Sequence, residues 1–190
     1  MIPVNRITEV LHLFLKPWVR TGDCVVDCTV GNGCDSVFLA SCVGPSGFLH
    51  GFDIQAEAIR RTRERLDAKG FPSDRRQLIH DTHEVMDRYI KQPVRVFMFN
   101  LGYLPGGDRS VVTQAKSTLM ALGKALDHLD REGLISMVLY TGHPEGGAEA
   151  EAVRTRLRML PSPEYSVIHW RYLNQGNEPP EIVIVQKLGT

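Results

Sequence analysis

Apolar positions along the chain keep two rhythms that alternate from end to end. Ile7, Val10, Leu11, Phe14 and Leu15 recur at helical spacing, predicting an opening helix over 5–16 that Pro17 ends or kinks. Short apolar runs then predict strands near 24–28, 47–53, 76–80, 94–100, 133–140, 164–171 and 181–187. Helical patterns fill the gaps near 34–42, 55–69, 83–91, 111–129 and 145–159, and Gly70-Phe71-Pro72-Ser73 and Pro161-Ser162-Pro163 mark turns. Short apolar strands separated by helices make a mostly parallel sheet covered on both faces. Only about ten residues, including Pro179-Pro180, separate the last two strands, which suits an antiparallel hairpin rather than a crossover. The expected architecture is α/β and Rossmann-like: a seven-stranded, mostly parallel sheet with an antiparallel last strand.

Strand, glycine turn and helix meet at Val26-Asp27-Cys28-Thr29-Val30-Gly31-Asn32-Gly33-Cys34-Asp35. In an open α/β sheet this is where a nucleotide-like ligand binds. Gly31 and Gly33 let a ligand approach the backbone, and Asn32 and Asp35 sit on the same turn. Asp27, just before the turn, repels a pyrophosphate but attracts an ammonium or sulfonium. Asp53 ends the next apolar run, about 20 residues on, where an acid holds both hydroxyls of a ribose. The third glycine of a dinucleotide fingerprint is replaced by Ser36. Together these features point to S-adenosylmethionine rather than NAD, although a generic strand–helix turn would share the glycines.

The chain has 190 residues, 43% hydrophobic and 23% charged, which fits a single domain over 1–190 with a full core. No stretch is apolar enough to span a bilayer, and polar residues interrupt the N-terminal pattern, so no signal peptide or membrane is expected and the location defaults to cytoplasmic. The formal net charge is zero, so bulk charge does not announce nucleic-acid binding. Arg60, Arg61, Arg63 and Arg65 crowd one helix and Arg154, Arg156 and Arg158 another. With Glu57, Glu64, Glu149 and Glu151 among them, these read as solvated helix faces. Cys24, Cys28, Cys34 and Cys42 lack the paired spacing of a zinc site and read as reduced, buried cysteines, with no metal expected.

Ligands of such a sheet lie beyond the carboxyl ends of its parallel strands, which tells which residues meet. Thr29 follows the first strand, and Ile54 and Gln55 follow Asp53, with Ile54 offering an apolar face to adenine. Asp81 is placed either to accept from the adenine amino group or to serve as a turn or cap acid. Asn100-Leu101-Gly102-Tyr103-Leu104-Pro105-Gly106-Gly107 follows the central strand and resembles the N-P-P-Y loop of methyltransferases acting on amino nitrogens. In that loop the Asn accepts hydrogens from the target amine. Leu101 and Gly102 stand here in place of the two prolines. Tyr103 is expected to wall the acceptor pocket. His83 is a proton acceptor or capping partner, and His143 sits on a neighbouring rim loop. Asn174 and Asn177 bring amides to the same rim, to read a base edge or simply to turn the chain. His12, His50, His128 and His169 read as structural.

Across nearly its full length the chain resembles the YtqB-type (MnmM) family of class I S-adenosylmethionine-dependent tRNA methyltransferases. The resemblance rests on Asn5-Arg6-Ile7-Thr8, Thr29 to Asp35, Gly51-Phe52-Asp53-Ile54-Gln55 and His83. It continues through Phe99 to Gly107, Gly142-His143-Pro144-Glu145-Gly146-Gly147 and Asn174 to Pro180. Cysteines at 28 and 34 are the departure, where other small residues would serve. The resemblance implies a homodimer that binds the tRNA anticodon region. It also implies conversion of 5-aminomethyl-2-thiouridine to 5-methylaminomethyl-2-thiouridine at wobble position 34. Methylation of rRNA or a small amine, or a non-catalytic cofactor-binding module, are the alternatives.

Overall fold

The computed structural model describes residues 6–102, 106, 112–142 and 144–189. Seven strands form one sheet: β1 (Cys24–Asp27), β2 (Phe48–Asp53), β3 (Arg76–His80), β4 (Val94–Asn100), β5 (Leu129–Leu139), β6 (Tyr165–Trp170) and β7 (Glu181–Lys187). Their order is β3-β2-β1-β4-β5-β7-β6, and β7 alone runs antiparallel to its neighbours. The helices are α1 (Ile7–Leu15), α2 (Cys34–Val43), α3 (Ala56–Ala68), α4 (Ala115–His128) and α5 (Pro144–Arg158).

The strand alternation sorts side chains onto two cores. Val26, Phe97 and Phe99 pack with Met86, Leu122, Leu126, Val153 and Leu157 under α4 and α5. Val25, Val96 and Met98 pack on the other face with Leu11, Leu15, Leu39 and Leu66 from α1, α2 and α3. Phe97 is fully buried, so truncation to Ala should cost about 3–5 kcal/mol. The buried polar exception in the central strand is Arg95, which donates to the carbonyls of Trp18 and Arg131 at 2.9 Å each.

Two elements differ from the periodicity. The expected helix near 83–91 is a short 3-10 helix, His83–Arg88, broken by the backbone of Val85. β5 starts at Leu129, earlier than the apolar run, because a bulge lets Leu129 pair with Val94 before Leu134 pairs with Val96. No helix of the described residues is long and apolar enough to cross a membrane.

Candidate active site

The chain order reverses between β1 and β4, and a cavity of about 890 Å³ opens there at the carboxyl ends of the strands. That volume is within the usual range for a small-molecule site. Residues from after β1, β2, β3, β4 and β5 reach its wall, and α1 contributes Thr8, Glu9 and His12.

The turn after β1 is held by its own side chains. Asp27 accepts from Ser36 Oγ at 2.5 Å and from the Thr29 amide at 3.2 Å. It is fully buried and is not among the residues that line the cavity. Burial, reinforced by the nearby Asp35 carboxylate, pushes its pKa up to about 7. Gly33 is also absent from the wall. Its φ is +80°, and a Cβ there would meet Thr62 Oγ1 at 2.9 Å and its Cα at 3.0 Å, so glycine lets α3 pack against the turn. Gly31, Asn32 and Asp35 do line the cavity.

Asp53 sits across from this turn. It accepts from the Gly31 amide at 3.0 Å through one oxygen and from the Gln55 amide at 2.9 Å through the other. These bonds fix the carboxylate, and each oxygen keeps a lone pair for a hydroxyl. Burial raises its pKa, with the two backbone amides pulling the other way. Ile54 beside it is 52% exposed, an uncovered apolar platform on the same wall. Asp81 lines the cavity while one oxygen accepts from the Thr82 amide at 2.8 Å; Thr82, not Asp81, caps the 3-10 helix. His83 Nδ1 lies 3.0 Å from the carbonyl of Cys28, so Nδ1 carries the proton. Its Nε2 is buried and has no hydrogen-bond partner among the described residues. Burial lowers its pKa, which favours the neutral ring.

At the end of β4, the Asn100 amide donates to Thr29 Oγ1 at 2.7 Å, and Asn100 Nδ2 donates to Asp35 Oδ2 at 3.1 Å. The other Asp35 oxygen is 2.6 Å from His12 Nε2. His12, read as structural from sequence, is therefore part of the cavity wall. Nothing in its local spacing distinguishes it from the other apolar-face positions of α1.

A second group missed from sequence is Glu149 on α5. It is only 4% exposed, unlike the solvated acid its neighbours suggest. It accepts from Thr113 Oγ1 at 2.7 Å and Thr118 Oγ1 at 2.6 Å. The Gly102 amide donates to Thr113 Oγ1 at 2.9 Å, and the Thr113 amide donates to the Gly102 carbonyl at 3.0 Å. Glu149 thus ties α4 and α5 to the neck of the segment that follows Asn100. Tyr140, at the end of β5, lines the cavity against Gly102. Tyr103 and His143 lie outside the described residues. Asn174 and Asn177 are exposed between β6 and β7 and do not line the cavity; the loop meets the rim through Thr141 Oγ1 and the Glu178 carbonyl, 3.3 Å apart.

The donor set fits S-adenosylmethionine: a pre-oriented carboxylate for a diol, an apolar platform beside it, and polar groups at the start of α2 for an amino-acid end. The fold agrees. A "putative rRNA-methylase" from Clostridium thermocellum superposes with a TM-score of 0.92 at 42% identity, over 95% of this chain and 97% of that one. A "putative methyltransferase" from Streptococcus mutans, solved in complex with SAH, superposes with a TM-score of 0.88 at 35% identity, over 99% and 100%. Fold and cavity define a class I S-adenosylmethionine-dependent methyltransferase. Residues 49–186 match the family described as "Putative rRNA methylase", and the chain belongs to that family. It is also similar to the chloroplastic tRNA (mnm(5)s(2)U34)-methyltransferase of Arabidopsis thaliana, 36% identical over 184 residues, spanning 92% of this chain and 67% of that protein.

Proposed function

We propose that the chain methylates the primary amine of 5-aminomethyl-2-thiouridine at tRNA position 34, giving 5-methylaminomethyl-2-thiouridine. The observation that carries this reading is Asn100. It stands at the end of the central strand with one N–H of its side-chain amide donated to Asp35, which turns Oδ1, an acceptor, to the other side. An amine nucleophile needs such an acceptor, because an N–H held by Oδ1 turns the nitrogen lone pair toward the methyl donor. The similarity to a plant enzyme named for this tRNA position supports the choice of acceptor.

In this reading Asp53 takes the ribose hydroxyls, Ile54 and Gln55 border the adenine, and Asp81 accepts from its amino group. Thr29, Gly31, Asn32 and Asp35 surround the amino-acid end. Asp27 and Gly33 shape these walls from behind, His83 lines the cavity beside Asp81 as the candidate proton acceptor, and Tyr103 and His143 border the acceptor base. Bound there, S-adenosylmethionine supplies an electrophilic methyl group on a sulfonium sulfur. The substrate amine must be neutral before it attacks, so its extra proton leaves first, to water or a nearby base. Holding nitrogen and methyl in line supplies much of the rate. A one-domain, cytoplasmic homodimer that docks the anticodon region belongs to the same proposal, and light scattering tests the dimer.

The family's own description favours rRNA as the second reading. Mass spectrometry of tRNA and rRNA nucleosides from cells with and without the gene separates the two. Loss of the terminal methyl on the wobble nucleoside is expected. A missing rRNA methyl with unchanged tRNA would overturn the assignment.

A further inference from the structure

His12 comes from α1, Asp35 from the first turn of α2 and Asn100 from the end of β4, yet the three join in one chain on the cavity wall. Asp35 is the centre, with its side chain 8% exposed. One oxygen is 2.6 Å from His12 Nε2 and the other accepts from Asn100 Nδ2 at 3.1 Å. A carboxylate only accepts, so Asn100 must turn its NH2 toward Asp35 and its Oδ1 away. An Asn amide has nearly the same shape in its two flipped orientations, so without such a partner either end could face the substrate. The flipped form would aim N–H at a nitrogen whose lone pair must stay free.

His12 determines whether Asp35 keeps this role. Its Nε2–H donates to the carboxylate from the side opposite Asn100, so Asp35 is held at both oxygens and cannot swing. The imidazole plane is itself fixed by stacking on Phe38, with centroids 4.0 Å apart and an interplanar angle of 4°. Leu11 and Leu15 anchor α1 in the core. Thr29 Oγ1 holds the Asn100 backbone at 2.7 Å, so the remaining freedom of Asn100 is in its side chain.

We propose that His12 is a positioning residue: acting through Asp35, it fixes the orientation of the Asn100 amide so that Oδ1 meets the substrate amine. This rests on the amine-methylating reading above. Two substitutions separate the hydrogen bond from the packing. His12→Phe keeps a ring against Phe38 and removes the donor. His12→Gln loses the ring and keeps a donor at similar reach.

With tRNA carrying 5-aminomethyl-2-thiouridine, Phe should lower kcat about tenfold to a hundredfold while leaving the KM for S-adenosylmethionine near wild type. Gln should recover most of the loss. Equal rates for Phe and Gln, or a loss confined to the KM for S-adenosylmethionine, would overturn the proposal. A second measurement needs no substrate. The NMR signals of the Asn100 side-chain NH2, assigned by their loss in Asn100→Asp, should move in Phe and stay close to wild type in Gln. Unmoved signals in a folded Phe variant would also overturn it. If the wild-type protein leaves that tRNA unmethylated, the substrate assignment fails, and the NMR comparison still decides whether His12 orients Asn100.

Discussion

Arg61 and Arg65 on α3 reach back to the turn after β1, whereas Arg154 and Arg158 on α5 are spent along the far edge of the sheet. Arg61 donates to Asn32 Oδ1 at 3.0 Å as well as to Glu57, and Arg65 donates to Cys34 Sγ at 3.3 Å on the cavity wall. Arg154 instead donates to Glu181 Oε2 at 2.7 Å and to Glu151, which also takes Arg158 at 3.2 Å. Glu181, 8% exposed at its side chain, gathers His169 at 2.8 Å and Arg171 at 3.0 Å as well. Two helices with similar runs of arginine therefore differ in what their charges meet. Beside the cavity, the side chains are anchored on one side and keep valence on the other. Along β6 and β7 they neutralise one another and brace the frame.

The sharpest way to break this contrast is at Asn100. Asn100→Ala should lower single-turnover methylation of the modified tRNA about a hundredfold and weaken S-adenosylmethionine binding far less, because its main loss is orientation at the reacting nitrogen, while Asp35 keeps its His12 partner. A similar loss from a substitution in the β6–β7 frame would erase the distinction. Next in size is Asp53→Ala. It should weaken S-adenosylmethionine binding more than tenfold in calorimetry, since hydrogen bonds to a charged group contribute about 1.5–3 kcal/mol.

Glu181→Gln tests the other side of the comparison. It should lower unfolding stability by about 1–3 kcal/mol in a denaturant titration, while kcat of the folded enzyme stays at the wild-type value. Asp27→Asn should give a smaller effect that depends on pH. The Asp27 pKa rises from 3.8 to about 7 on folding, so its contribution is fully present below the lower value and is lost as pH climbs through the higher one. The stability of the Asn variant relative to wild type should therefore improve between about pH 4 and pH 8. A difference that stays flat across that range would mean that Asp27 folds as an ordinary carboxylate. Smallest of all, Arg158→Glu should change stability by less than about 0.5 kcal/mol, because its partner is exposed and surface pairs contribute little.

The order of strands and helices was legible in the sequence because periodicity and turn chemistry are local. The near-continuous apolar run of Val94 to Phe99 marks a strand buried on both faces, and the short link before Glu181 marks the antiparallel last strand. The wall acid Asp53, the platform Ile54 and the strand-end Asn100 were legible for the same reason: each sits where a strand stops, and Asp35 was legible from the glycine turn that opens α2. Burial and long-range pairing were not. Asp27 and Asp35 both flank one glycine turn, yet the fold sinks the first beneath Ser36 and leaves the second on the cavity wall. Glu149 looks like a solvated helix acid until α4 packs Thr118 against it. His12 and Asp35 stand 23 positions apart and become partners only because α1 and α2 share one face of the sheet. Sequence by itself determined the elements, their alternation and the ends at which chemistry sits. Tertiary structure alone decided which polar groups are consumed in holding the turn and which remain to meet a ligand. A hydrogen-bond partner is chosen by distance in space, and that distance exists only once the helices have packed.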